Sequence, residues 1–429
     1  VGRIQVRSPR CCSSERVCRR NGSVTLVNVN NKRAFGLLQV TNAASGISNG
    51  VVMITVPWIV LELTGSAAKA GLLAALSSLP GIVVSPVVGG LIDRFGRRAI
   101  SMFSDFMSMV SVLMFLVVNA VGDLTYTWIL VIAVLGACFD PAGHTARKAL
   151  IPNAATASGI EIDSANGRHE GIFAIGWMVG PAIGSACIQW SGPMLAFAVT
   201  AAMFAIATIA VSLMHVDDEH GKTVAHHEDG HESFFSSLRE GFHALTRDKP
   251  LFALAIGFMF LSGLYMPIDT VIFPTYFESI DNATGLGALF ASLAAGMVIG
   301  SFAYGRLAAK FSTSTLLRMV MIVSTVSLFP LVVLPPTWLF VVLGFFAGLS
   351  WGPFNPLWNS IVQKRVQPEL QGRVYGLQMS LLYAAPPLGQ LIVGACVDAY
   401  GLQPTFVVLM AIFGVVGFTF AATPILRKL

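Results

Sequence analysis

An all-α transmembrane fold, twelve helices in two pseudo-symmetric six-helix bundles, is what the 429 residues predict, on three observations. Hydrophobic residues make up 55% of the chain and charged residues 11%. A soluble domain carries roughly 25% charged residues, so this chain has too little charge to cover a surface in water. Its apolar residues gather into twelve stretches of about 20 residues or more, the length that crosses a bilayer. A charged loop between the second and third stretches, GGLIDRFGRR at 89–98, has a degraded copy, GRLAAKFST, beginning at Gly305 between another pair. The chain is therefore a duplication.

The stretches run over 37–62, 69–92, 99–121, 125–147, 165–190, 193–214, 250–277, 285–308, 314–334, 337–362, 372–397 and 403–424. Backbone polar groups cannot stand bare in lipid, so each stretch must be a helix, and the many Gly and Pro residues predict bends within helices rather than breaks in the pattern. Four segments follow: a basic tail at 1–36, a first bundle at 37–214, a polar linker at 215–249 and a second bundle at 250–429. The tail has no apolar run and no cleavage site, so it does not read as a signal peptide. The first methionine is Met53, inside helix 1, from which we expect translation to start near Val24, Val27 or Val29. The linker holds His215, His220, His226, His227, His231 and His243. It reads as a solvated acidic spacer more readily than as a metal-binding tract. Its second part sets Phe234, Phe235, Leu238, Phe242 and Leu245 at helical spacing opposite Ser236, Arg239, Glu240 and Arg247. That pattern predicts an amphipathic helix on the inner membrane face.

An even number of spans puts both termini on one side. If that side is the cytoplasm, every Lys and Arg except Lys69 falls in cytoplasmic tails, loops or adjacent helix ends. This is the asymmetry of the positive-inside rule, and it predicts a multi-pass protein of the plasma membrane with both termini cytoplasmic. The net charge of +5 is then topological and gives no reason to expect nucleic acid as a partner. Cys138, Cys187 and Cys396 lie in apolar stretches, where cysteine acts as a small hydrophobe. Cys11, Cys12 and Cys18 lack a matching His/Cys set, so no metal site is expected. Walker A, nucleophile-elbow and zinc-ligand spacings are all missing from the sequence, which leaves no enzymatic reading and no cofactor.

The spacing of Gly89, Asp93, Arg94, Gly96, Arg97 and Arg98 resembles the signature loop between the second and third helices of the major facilitator superfamily. Three further phrases resemble the branch of that superfamily containing macrolide-efflux proteins and enterobactin exporters. They are SLREGFHALTRDKPLF at 237–252, RVQPELQGRVYGLQ at 365–378, and FDPAGHTARKALIP at 139–152 with Ala165-Asn166 after it. The resemblance runs from residue 34 almost to the end. It implies two bundles of inverted three-plus-three repeats that rock between inward- and outward-open states. It further implies a monomeric secondary transporter that exports amphipathic organic compounds of the drug or siderophore class by proton antiport. Its partners would be a small organic substrate, protons and the lipid bilayer. Two alternatives stay open at this point: a facilitator that imports or exchanges a metabolite, and a sensor with a transporter fold that moves nothing.

The resemblance assigns Asp93, Arg94 and Arg97 a latch that joins the two halves on the cytoplasmic side. Gly89 lets helix 2 approach a partner closely. Asp93, at a helix end, can pair with Arg97 or with the positive N-terminus of a neighbouring helix. The copy at Gly305 has Ala309 in place of Asp93 and Ser312, Thr313 and Ser314 in place of Gly96, Arg97 and Arg98, keeping only Gly305 and Lys310. A competent latch is thus expected in the first half only. Helix 5 carries Gly176, Gly180, Pro181, Gly184 and Ser185, a small-residue face with a bending proline. It resembles the antiporter motif of drug-exporting facilitators, with Ser185 in place of the last glycine. Helix 11 has a partial echo from Ala385 to Gly389.

Ionisable side chains at membrane depth cost about 2.5–3.5 kcal/mol and mark functional positions. Asp140, His144 and Arg147 share one face of helix 4, and Asp105 in helix 3 lies at a similar depth, which reads as a charge network. Asp269 in helix 7 stands between Pro267 and Pro274 with no partner evident in sequence. Proton coupling needs a carboxylate that titrates between the two open states, for which Asp140 ranks first and Asp269 second. Gln39, Asn42, Gly46 and Asn49 on helix 1, Trp351, Asn355 and Trp358 on helix 10, and Gln378 and Tyr383 on helix 11 are the candidate cavity lining. Aromatics with amides suit a bulky amphipathic organic molecule better than a sugar or small anion.

Overall fold

The structure, a computed structural model, describes residues 17–20, 23–26, 32–216, 242–243, 245–367, 374, 377–378 and 380–428. Cys11, Cys12, Val27, Val29, Phe234, Phe235, Ser236, Leu238, Arg239, Glu240, His220, His226, His227 and His231 lie outside the described residues, as do the side chains of Gly89 and Asp93 within their helix. A short antiparallel hairpin, β1 (Val17–Arg20) and β2 (Ser23–Leu26), stands before the first helix, where the sequence suggested no element.

Twelve helical rods follow among the described residues. The first six are α1 (Lys32–Thr64), α2 (Ala67–Phe95), α3 (Arg97–Val121), α4 (Tyr126–Ser158), α5 (Ile162–Ser191) and α6 (Pro193–Leu213). Next come α7 (Lys249–Pro267, continuing through Ile268–Ile272 to Phe273–Ser279), α8 (Ala283–Lys310) and α9 (Thr313–Leu328). Last are α10 (Thr337–Trp351 and Phe354–Arg365), α11 (Pro386–Tyr400, with a helical lead-in at 380–384) and α12 (Leu402–Ala422). At the linker's end a helical turn at 245–247 buries Leu245 while Phe242 stays half exposed, its ring edge-on to Phe252.

Local chemistry sets the ends of these rods. Ser66, Asn282 and Ser312 cap α2, α8 and α9 by accepting the amides of Lys69, Gly285 and Thr315, replacing donors that a helix start leaves unsatisfied. Gly96 joins α2 to α3 in a single residue at φ +88°, a conformation that a side chain disfavours, which accounts for the glycine inside the charged loop. Asp248 caps α7 at the Leu251 amide and holds Arg365, at the end of α10, through two bonds of 2.7 and 3.3 Å.

Three departures from straight, evenly spaced rods have identifiable causes. Helix α4 runs on to Ser158 instead of ending at 147. Arg147 and Lys148 interrupt the apolar run, but Leu150, Ile151, Ala154 and Ala155 continue the helix and pack on Ala34, Phe35 and Leu38 of α1 and Val211 at the end of α6. Helix α7 widens into a π turn at Ile268–Ile272 between its two prolines. Pro267 has no amide to offer the Gly263 carbonyl, and Gly389 of α11 settles against that free carbonyl. Helix α10 is interrupted at Gly352-Pro353.

Exposure is inverted relative to a soluble protein. Trp190, Phe302 and Val415 are 87%, 80% and 67% exposed, where lipid would cover them. Within the first half, α1 packs on α4, α5 and α6; within the second, α8 packs on α10 and α7 on α11. The halves meet along α2–α11 and α5–α8. A Cβ at Gly394 of α11 would lie 3.0 Å from Ala68 Cα of α2, and one at Gly287 of α8 would lie 3.0 Å from the Pro181 carbonyl of α5. These contacts close the seam at the end that carries the loops 64–67, 191–193, 279–283 and 400–402, opposite to the chain termini.

The glycines of helix 5 form the contact with α1. A Cβ at Gly176 would come 2.9 Å from the Ala43 carbonyl, one at Gly180 2.7 Å from Gly50 Cα, and one at Gly184 3.2 Å from Val51 Cα. Gly180→Val must push the two backbones apart, an overpacking that costs about 1–3 kcal/mol. The expected outcome is a lower melting temperature of the purified protein. Gly171→Ala, on the same helix with nothing within 4 Å of its Cβ position, leaves the melting temperature unchanged or slightly raised.

Candidate functional site

The polar face of α4 is held against α1, α3 and α5 inside the first half. Arg147 is 1% exposed. Its Nη1 lies 2.8 Å from Oδ1 of Asp105, itself 2% exposed, and its Nη2 donates to Ser45 Oγ at 2.9 Å. One turn earlier, the His144 ring packs on Phe173 of α5 with centroids 4.7 Å apart. One turn earlier again, Asp140 is half-buried and accepts from Asn49 Nδ2 at 2.6 Å. The i, i+4, i+7 spacing therefore yields a ladder of three ionisable groups, each with a different neighbour.

The cluster also contains a residue that sequence reasoning missed. His169 of α5 is fully buried. Its Nδ1 lies 3.4 Å from Gln39 Nε2, and its carbonyl accepts from Asn42 Nδ2 at 2.7 Å. In the sequence it sits between Arg168 and Glu170 at a helix start, which reads as a solvated end. The tertiary fold turns that one position inward, while Glu170 stays outside and pairs with Lys148 at 2.8 Å. Asp105 Oδ2, His144 Nδ1, Arg147 Nε and His169 Nε2 are buried without a hydrogen-bond partner among the described residues.

In the second half, Asp269 lies in the π turn of α7 with Tyr265 beside its carboxyl group one turn back. Asp269 Oδ1 is buried and unpartnered among the described residues. The Tyr265 ring runs parallel to that of Trp351, centroids 6.4 Å apart. Thr270 accepts from Gln390 of α11 at 3.2 Å. Tyr383, also on α11, is 47% exposed and within electrostatic reach of Asp140 across the seam.

Other candidate residues are placed differently from the sequence reading. Asn42 is fully buried, bonded to the His169 carbonyl; the face of α1 that meets Asp140 at Asn49 is covered by α5 two turns earlier. The three candidates of helix 10 differ in exposure, although Trp351 and Trp358 both pack on Phe258. Trp351 stacks on Tyr265, Asn355 is exposed, and Trp358 is 2% exposed with its edge on Phe258, in the core. Gln378 is likewise buried, at 6%. In the charged loop, Arg97 donates to Asn153 of α4 at 2.7 Å, and Arg98 donates to the carbonyls of Val211 and Ser212 at the end of α6. Both arginines therefore bind their own half, at a helix C-terminus in the second case, where a cation is favoured. Arg94 is exposed, over the Phe95 ring.

Removing one partner of a buried ion pair leaves an uncompensated charge and costs about 3–5 kcal/mol. Asp105→Ala is expected to lower thermal stability by that order, measured by melting of the purified protein. Replacing both partners, Asp105→Leu with Arg147→Met, should recover most of the loss.

Comparison with known proteins agrees with this architecture. The profile of the Major Facilitator Superfamily matches residues 40–389. Multidrug efflux pump Tap of Mycolicibacterium fortuitum is 34% identical over 404 residues, 93% of this chain and 98% of the relative. Macrolide efflux protein A of Streptococcus pyogenes is 24% identical over 386 residues, 87% of this chain and 92% of the relative. Among solved structures, the nucleoside transporter NupG superposes with a TM-score of 0.74 at 13% identity, covering 93% of this chain and all of that one. A bacterial homologue of the lysosomal transporter Spinster, in an inward-facing conformation, superposes with a TM-score of 0.71 at 14% identity, over 91% of this chain and 96% of that one. The twelve-helix architecture and the match along most of its length establish that this chain belongs to the Major Facilitator Superfamily of membrane transporters.

Proposed function

We propose that this chain is a monomeric plasma-membrane transporter that exports amphipathic organic compounds of the drug or siderophore class in exchange for protons. The observation that carries export is the 34% identity to multidrug efflux pump Tap along 93% of the chain. The close glycine contact between α1 and α5, and the resemblance of helix 5 to the antiporter motif, point the same way. Both termini lie in the cytoplasm, as the distribution of Lys and Arg favours. On that orientation the closed end of the seam is the extracellular one, and the conformation is inward-open. A basic tail, two bundles and a linker follow the boundaries 1–36, 37–214, 215–249 and 250–429 read from sequence, save that α1 of the first bundle begins at Lys32.

Asp140 is the proton carrier in this reading. Asp105 is neutralised by Arg147 at 2.8 Å, whereas the partner of Asp140 is the uncharged amide of Asn49. A carboxylate bonded to a neutral group can take up and lose a proton without leaving a buried cation behind. Tyr383 of the other half lies within electrostatic reach of it. Asp269, with Tyr265 beside it, is the second candidate. Asn49, Trp351, Asn355 and Tyr383 are the side chains offered to cargo.

Cells that carry the protein should accumulate less of a fluorescent amphipathic substrate than cells that lack it, until a protonophore collapses the gradient. Asp140→Asn is expected to abolish uphill export while leaving downhill exchange between preloaded vesicles. Full protonophore-sensitive export by Asp140→Asn would exclude Asp140 as the carrier, and higher accumulation by the unaltered protein would exclude export.

A further inference from the structure

Asp398, in the last turn of α11, bonds the first turn of α2 in the other half. Its Oδ1 accepts the Ala67 amide at 2.7 Å, and its Oδ2 accepts the Ala68 amide at 3.2 Å and the Ser66 hydroxyl at 2.5 Å. The first turn of α2 has no acidic residue of its own, so its unsatisfied amides draw their anion from 330 residues away. An anion at a helix N-terminus is favoured by the helix dipole, and charged acceptors make the stronger hydrogen bonds. The carboxylate is delivered by a rigid rod and not by a loop, because Gly394 of the same helix lets α11 lie against Ala67 and Ala68. The nearby cation, Lys69, lies over the Tyr126 ring at 5.4 Å.

The same end of the seam carries an opposing element. A cavity of about 240 Å³ is lined by Trp58, Glu62 and Gln189 of the first half and by Glu278 and Asp281 of the second. Like charges on its two walls favour separation of the halves, whereas Asp398 joins them. The charged loop at the far end of α2, which by resemblance latches the opposite side, makes α2 a helix with a device at each end.

We propose that Asp398 is an inter-half latch, a positioning residue that holds this end of the transporter closed and must let go of α2 before it opens, against the repulsion of Glu62 from Glu278 and Asp281. The proposal rests on the transport reading in one respect only, that the two halves rock. Trp190 and Tyr400, 87% and 74% exposed on the two sides of the seam, take no part in the latch. In the full chain with native cysteines replaced, Trp190→Cys and Tyr400→Cys carry nitroxide labels, and pulsed electron resonance in nanodiscs reads the distance between them. Asp398→Ala is expected to raise the ratio of long to short distances by roughly threefold to thirtyfold. Ser66→Ala should act in the same direction but less, Asp398→Glu should restore the short distance, and Glu62→Gln should shift the ratio the opposite way.

An unchanged distribution in folded Asp398→Ala, or the same direction of shift in Glu62→Gln, overturns the latch. If Asp398→Ala does not fold, Asp398→Asn carries the test, since its amide keeps one acceptor oxygen but loses the charge. Shifted distances without export of any compound would sink the function and leave the latch standing. Export with unshifted distances would do the reverse.

Discussion

Lipid offers no hydrogen bonds, and the rest of this structure depends on that constraint. It forces each apolar stretch to satisfy its own backbone as a helix. It also removes the hydrophobic drive for one helix to bury against another, so close packing must hold the rods together. Glycine provides that closeness between α1 and α5 inside the first half and between α2 and α11 across the seam. Gly389 packs against the carbonyl that Pro267 frees, and Asp398 answers the bare amides that begin α2.

The same constraint makes each charge within the membrane conspicuous, and the two halves manage their charges differently. The first half builds a connected set in which the Arg147–Asp105 pair is enclosed and bonded to Ser45, while Asp140 is half-buried and bonded to the uncharged amide of Asn49. In the second half Asp269 sits on a helix deformed by two prolines and is flanked by the Tyr265–Trp351 stack.

The spans were legible in sequence because hydrophobicity is additive along a helix and the membrane imposes the length. Among the described residues the twelve stretches became rods with ends shifted by a few residues, apart from the start of helix 11, which lies outside them, and from helix 4, whose continuation past Lys148 is stabilised by packing on α1 and α6 outside any apolar run. Residues related by regular spacing were legible too, as Asp140, His144 and Arg147 show. Burial was not legible from spacing: Trp358 packs on Phe258 in the core, while Asn355, about one turn away, is exposed.

The sequence by itself determined the class, the number of spans and the position of the charged groups along them. Those follow from composition and local periodicity, which need no knowledge of neighbours. Only the tertiary structure decided which charges are satisfied and by what. His169 and Asp398 carry no local signal, because their partners lie on other helices, 130 residues away for His169 and more than 300 for Asp398. A hydrogen bond is decided by distance in space, and in a bundle of helices that distance is fixed by packing and not by order along the chain.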